Sequence, residues 1–159
     1  MSQAEIFRTL ARYGVDYIVV GGMAAVLQGA PVHTIDLDII YARTEENIAR
    51  LMPALRELDA IFRTDSRRLV PNESHLRSTG HKLLQTRCGV LDVLGTVEED
   101  TTYEDLLPDA DSLEVVGVSV RVLSLERLIA IKKKLTRPKD RAMLLLLEAT
   151  LDERRRASG

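Results

Sequence analysis

The stretch Asp16-Tyr17-Ile18-Val19-Val20-Gly21-Gly22-Met23-Ala24-Ala25-Val26-Leu27-Gln28-Gly29-Ala30-Pro31-Val32-His33-Thr34-Ile35-Asp36-Leu37-Asp38-Ile39-Ile40-Tyr41 decides how the rest of the chain reads. An apolar run ends at Gly21-Gly22, a short helix-forming segment follows, and a second apolar run carries two carboxylates, Asp36 and Asp38. Acidic residues are poor strand formers and are costly to bury unless paired or bound to a cation. Two of them in one apolar run therefore point to metal binding. Strand side chains at i and i+2 share a face, with Cα atoms about 6.5–7 Å apart. A strand over Thr34 to Tyr41 thus sets Asp36 and Asp38 on one side, able to converge on one Mg²⁺ or bracket two.

Tyr17 to Val20 is short, β-branched and continuously apolar, as a strand covered on both faces should be. Glycine lets a phosphate approach the backbone closely, and a helix N-terminus offers it free N–H donors, so Gly21-Gly22 is the candidate phosphate contact. The pattern is neither a P-loop nor a dinucleotide fingerprint, because Gly-Lys-Ser/Thr and Gly-x-Gly-x-x-Gly are both absent. A third acid lies in Gly89-Val90-Leu91-Asp92-Val93-Leu94, again alone in an apolar run. Asp92 joins the pair if its strand lies beside the one that carries Asp38.

Outward from this centre, Ile6, Leu10 and Tyr13 recur at helical spacing behind Ser2, a candidate N-cap, with Gly14 as the stop. A short helix is expected over Met23 to Gln28. Thr44-Glu45-Glu46 reads as a capped start, and Ile48, Leu51, Leu55 and Leu58 keep the helical period. Residues 61 to 80 carry no firm assignment beyond an irregular strand and a polar loop, and the loop from Asp65 to Gly80 is expected to line part of an acceptor cavity. Lys82 to Arg87 with Val90 to Leu94, and Leu113 to Val116 with Val118 to Leu123, read as two hairpins. Helices are expected from Ser124 to Leu135 and from Pro138 to about Arg154, with a frayed Ala157-Ser158-Gly159.

The chain has 159 residues, 45% hydrophobic and 29% charged, which fits one globular α/β (α+β) domain. Its core is expected over about residues 1–123 and its C-terminal helical pair over about 124–154. A formal net charge of -2 gives no general attraction to nucleic acid. One cysteine, Cys88, excludes an intramolecular disulfide and reads as a small core residue. No stretch approaches a membrane span and no apolar signal region opens the chain, so a cytoplasmic protein without membrane contact is expected. His33, His75 and His81 are too scattered to argue a metal site, and Arg154-Arg155-Arg156 suits a helix end.

An apolar strand, Gly-Gly, a short helix, Asp-x-Asp and a later lone strand Asp together resemble the nucleotidyltransferase superfamily with the DNA polymerase β-like core. Thirteen residues separate Gly22 from Asp36, which suits that family. More narrowly, Leu128-Ile-Ala-Ile-Lys132-Lys-Lys-Leu-Thr-Arg137-Pro-Lys-Asp140-Arg141 looks like the segment that follows the core in abortive-infection and toxin–antitoxin nucleotidyltransferases. The resemblance implies a mixed, twisted sheet flanked by helices. It implies that Asp36, Asp38 and Asp92 hold Mg²⁺ or Mn²⁺, two ions in all, and that Gly21 and Gly22 contact a nucleoside triphosphate. It also implies that Lys132, Arg137 and Asp140 pack beside the site, where Lys132 would offset phosphate charge and Arg137 and Asp140 would pair. Many relatives have Ser where Gly22 stands, and the basic residue often found before Asp-x-Asp is here His33.

The expected reaction is metal-dependent transfer of a nucleoside monophosphate to an acceptor hydroxyl with release of pyrophosphate. Protein, RNA and small molecules all remain open as acceptors. Two alternatives accompany it: a toxin–antitoxin partner protein acting by complex formation, and an antibiotic-modifying nucleotidyltransferase.

Overall fold

A computed structural model describes residues 3–158; the candidate cap Ser2 and the terminal Gly159 lie outside the described residues. Seven strands form one mixed sheet in the order β3-β4-β5-β2-β1-β7-β6. The strands are β1 (Tyr17–Val20), β2 (Leu37–Tyr41), β3 (Ile61–Phe62), β4 (His81–Thr86), β5 (Gly89–Leu94), β6 (Ala110–Val115) and β7 (Val118–Leu123). The helices are α1 (Gln3–Arg12), α2 (Gly21–Leu27), α3 (Glu45–Glu57), α4 (Glu73–Arg77), α5 (Tyr103–Leu106), α6 (Leu125–Lys133) and α7 (Pro138–Ser158). The fold class expected from the motifs, a mixed sheet flanked by helices, is the one observed.

The centre of the sheet is short and continuously apolar because both faces are covered. All four residues of β1 are buried, and Leu37, Ile39, Ile40 and Tyr41 of β2 are inaccessible. Ile6, Phe7 and Leu10 of α1 and Ile48, Leu51 and Leu55 of α3 join the same core. A buried polar side chain sets the junction: Asn47 donates from Nδ2 to the carbonyls of Asp16 (2.9 Å) and Ala42 (2.8 Å) and accepts from Asp16 N–H at 2.7 Å. It thus ties the start of β1 to the end of β2 and satisfies groups that would be costly to bury unpaired.

The two expected hairpins form, with Leu84 opposite Leu91 and Leu113 opposite Val120. Thr44 caps α3 and Ser124 caps α6, both as read from sequence. Four readings need adjustment. The second strand begins at Leu37, not Thr34, because β1 ends at Val20 opposite Asp38 and then turns into α2. Residues 61 to 80 contain β3 and α4; Asn72 and His75 cap the latter reciprocally, a signal present in Asn72-Glu73-Ser74-His75. The acidic stretch before β6, which reads from sequence only as a connection through Pro108, holds α5, whose cap is Thr102 paired with Asp105. The last helix runs past Arg154 to Ser158, so Ala157 and Ser158 are helical rather than frayed.

Cys88 is buried, as a core residue should be. Among the described residues, no helix is long and apolar enough to cross a membrane.

Candidate active site

β2 and β5 run parallel and in register, with Asp38 opposite Asp92. The same row continues to Val20 on β1 and to Leu83 on β4. Residues directly opposite one another project to the same face. Two acids distant in sequence are therefore brought side by side by strand pairing, which was the condition for Asp92 to join the pair.

Arg63, just past β3, enters this row from the other side. Its N–H donates to the carbonyl of Leu83 at 3.0 Å, and its guanidinium reaches over that residue to Asp92. Nη2 donates to Asp92 Oδ2 at 3.1 Å and Nη1 donates to Oδ1, forming a forked ion pair, while Nη1 also donates to the Leu84 carbonyl at 3.2 Å. Sequence reasoning missed Arg63 because it lies in the unreadable segment 61–80. The only available signal was its place directly after the apolar pair Ile61-Phe62.

The charge of the cluster is only partly balanced. Burial pushes the Asp38 carboxyl up to about 6, and the neighbouring Asp92 and Asp36 charges, with a hydrogen bond to Asp92, push the same way against Arg63. Asp36 itself is exposed and lies outside the ladder, its N–H 3.3 Å from Thr34 Oγ1. Strand alternation therefore does not set its direction, contrary to the expectation from a strand beginning at Thr34. Among the described residues, no three His, Cys, Asp or Glu side chains already converge on a metal position. The expected trio is thus a close pair, Asp38 and Asp92, with Asp36 at its exposed margin.

Gly21 has φ +67°, and a Cβ built on it would lie 2.8 Å from Asp38 Oδ2. Both facts require glycine here, since other residues pay for this backbone region and have no room for a side chain. At Gly22 an added Cβ would meet Thr34 at 3.4 Å. Together these residues begin α2, whose first turn has no side-chain cap at Val20, unlike α3, α4, α5 and α6. That uncapped turn begins at Gly21, against the Asp38 carboxylate.

The expected pair of Arg137 and Asp140 is present, with Nε donating to Oδ2 at 2.8 Å. Lys132 is drawn into it as well, its Nζ donating to Asp140 Oδ1 at 2.9 Å. The Asp140 side chain is 1% accessible, and hydrogen bonds from Lys132 and then Arg137 hold its carboxyl below the usual range. The primary partner of Lys132 is therefore a buried carboxylate, which ties α6 to α7 across Pro138. None of the histidines joins the acids: His75 Nδ1 accepts from Asn72 N–H, His81 Nε2 lies 3.1 Å from the Thr96 carbonyl, and His33 is exposed.

Residues 3–141 match the family model described as aminoglycoside-2''-adenylyltransferase. Among curated proteins, none matches the chain. Among solved structures, a candidate nucleotidyltransferase from Thermotoga maritima, TM1012, is 22% identical with a TM-score of 0.53, over 96% of each chain, a likeness of fold. The in-register acids, the uncapped glycine turn beside them and a match across most of the chain lead to one assignment: the protein belongs to the aminoglycoside-2''-adenylyltransferase family, within the nucleotidyltransferase superfamily.

Proposed function

We propose that the chain transfers a nucleoside monophosphate from a nucleoside triphosphate to an acceptor hydroxyl, releasing pyrophosphate. The observation that carries this reading is the side-by-side placement of Asp38 and Asp92, with Gly21 packed against the Asp38 carboxylate. The residues suit a divalent cation, because Mg²⁺ is typically held by one or two carboxylates together with substrate phosphates. Burial first, and then the Asp92 and Asp36 charges, raise the Asp38 pKa, and a cation among these carboxylates would offset both. On this reading Asp38 and Asp92 hold Mg²⁺ or Mn²⁺, with Asp36 as the third ligand and two ions in the loaded site. When bound, the cations neutralise the triphosphate and acidify the attacking hydroxyl.

The protein's own groups have separate tasks. Gly21 and Gly22 donate backbone N–H bonds to the triphosphate, and the close approach exists because neither carries a side chain. Asp92 accepts the proton of the attacking hydroxyl, as a carboxylate within reach of the acceptor. Arg63 orients Asp92 through its forked bond. Lys132 has three donor protons, of which one goes to Asp140, and the others face phosphate.

Incubation with each labelled triphosphate, Mg²⁺ or Mn²⁺ and a panel of hydroxyl acceptors tests the reading. Transfer that requires the metal and disappears in Asp38→Asn and Asp92→Asn is expected. Activity unchanged in those variants, or no metal-dependent nucleotide binding at all, would sink it. Lys132→Gln separates its two possible roles: a raised KM for triphosphate at unchanged melting temperature marks phosphate contact, and a lowered melting temperature alone marks the Asp140 staple.

A second reading, complex formation with a partner protein as in toxin–antitoxin pairs, draws on the outer face of α7. There Leu145 is 70% and Leu146 38% exposed. Full transfer activity by the isolated chain counts against a need for such a partner.

A further inference from the structure

On the side of Asp92 away from the glycines lies a cavity of about 750 Å³, lined in part by Ile61 and Gln85. Gln85 pairs with Val90 and with Ile61. It is therefore a diagonal cross-strand neighbour of Asp92, about 7–8 Å away. By strand alternation, Ile61 and Gln85 project to the same face as Arg63, Leu83 and Asp92. The sheet order β3-β4-β5-β2-β1 sets the glycine turn after β1 on one side of the acid pair and this cavity on the other. A triphosphate running from Gly21 to Asp38 leaves the cavity for the second reactant.

The charge of the lining says what that reactant is. Arg56, Arg68 and Arg87 border the cavity against a single acid, Asp59. Arg87 lies 4.0 Å from Asp59, so its charge is partly answered. Among the described residues, neither Arg56 nor Arg68 makes an ion pair. Guanidinium groups match phosphate oxygens in geometry and charge, whereas a polycation such as an aminoglycoside meets uncompensated positive charge here.

We propose that this cavity is the acceptor site and that the acceptor is a phosphate-bearing hydroxyl compound. Its phosphate lies on Arg56 and Arg68, and its hydroxyl faces Asp92. This rests on the nucleotidyl-transfer reading above. The acceptor oxygen forms a bond to the α-phosphorus, the bond from that phosphorus to the bridging oxygen breaks, and its electrons leave on pyrophosphate. The hydroxyl proton passes to Asp92 and then to water. Two sources carry this chemistry, a small phosphorylated sugar and the 3′ end of an RNA.

Direct binding of three probes to the full chain, without triphosphate, tests the site: glucose 6-phosphate, a fluorescent RNA oligonucleotide with a free 3′ hydroxyl, and kanamycin as the polycation. At least one phosphate-bearing probe is expected to bind, to weaken as salt is raised, and to lose about tenfold or more in Arg56→Gln/Arg68→Gln. Arg156→Gln, on the last turns of α7, should leave binding unchanged. Both cavity arginines are exposed, so the double variant is expected to keep the wild-type melting curve. Which probe is then labelled by the triphosphate distinguishes the small molecule from RNA. Binding of both phosphate probes that ignores the double substitution, or kanamycin binding tighter than either, overturns the proposal. Asp38→Asn separates the two claims, since it should abolish transfer yet keep arginine-dependent binding. Arginine-dependent binding with no pyrophosphate released from any triphosphate keeps the phosphate site and overturns the transfer reading.

Discussion

Burial, and after it the charges of Asp92 and Asp36, push the Asp38 carboxyl up to about 6; Asp140 sits between Lys132 and Arg137, and its carboxyl is pulled below the usual range. Both are shielded aspartates, yet one cluster carries surplus negative charge and the other is balanced within itself. A fold gains nothing from the first arrangement, because buried like charges repel. It gains a firm helix junction from the second, where Asp140, just past Pro138, accepts from two donors ahead of it, Lys132 and Arg137. The contrast separates the cluster proposed above to take a cation from a staple that already has its cations.

The widest break between the two clusters should appear in activity. Asp38→Asn and Asp92→Asn are each expected to lower kcat/KM by about a hundred- to a thousandfold, the scale expected when a charge-stabilising group is removed from an active site. Measured pyrophosphate release checks this. Asp140→Ala is expected to lower the melting temperature with a smaller effect on the turnover of the remaining folded enzyme, followed by thermal melts alongside the same assay. If Asp140→Ala removes activity at full stability, the division between site and staple is wrong.

The pH dependence of the metal-free protein sharpens the contrast. The Asp38 pKa is raised in the folded state, so its contribution is fully present below the ordinary value of 3.8 and is lost as pH rises through about 6. That span corresponds to about 3 kcal/mol of stability lost across the window. The difference between wild-type and Asp38→Asn denaturation midpoints should show it, because carboxylates with lowered pKa, such as Glu57 and Asp140, act in the opposite sense in both proteins. Asp38→Asn should flatten the profile and be the more stable protein at pH 7, and Mg²⁺ with triphosphate should restore wild-type stability there. A pH profile that Asp38→Asn leaves unaltered would remove the claim that the fold holds Asp38 against ionisation.

The glycine turn offers the finest comparison. Gly21→Ala must adopt positive φ and meet the Asp38 carboxylate at 2.8 Å, which should cost about 1–3 kcal/mol and disturb transfer. Gly22→Ala meets only Thr34 at 3.4 Å and should cost less in stability. Equal effects in paired melts and assays would mean that closeness to Asp38 is not what Gly21 provides.

Much of the architecture was legible locally. Helix α3, both hairpins and the caps Thr44 and Ser124 follow from apolar period and cap chemistry, which act within a few residues. Segment 61–80 was not legible, because a two-residue strand and a five-residue helix are too short to carry a period. Asp36 was misplaced for a related reason: the start of β2 depends on where β1 stops, a fact about a partner strand.

By itself the sequence determined that three acids, Asp36, Asp38 and Asp92, lie within apolar runs of the chain where strand formation has no use for them, and that Gly21-Gly22 ends an apolar run. Local composition suffices for that, because burial cost and strand propensity belong to each residue type. Only the tertiary structure decided that Asp92 pairs with Asp38, that Arg63 reaches Asp92, that Lys132 serves Asp140, and that Arg56, Arg68 and Arg87 line one cavity. Those contacts depend on strand register and on the close approach of segments distant in the chain, which no local pattern records.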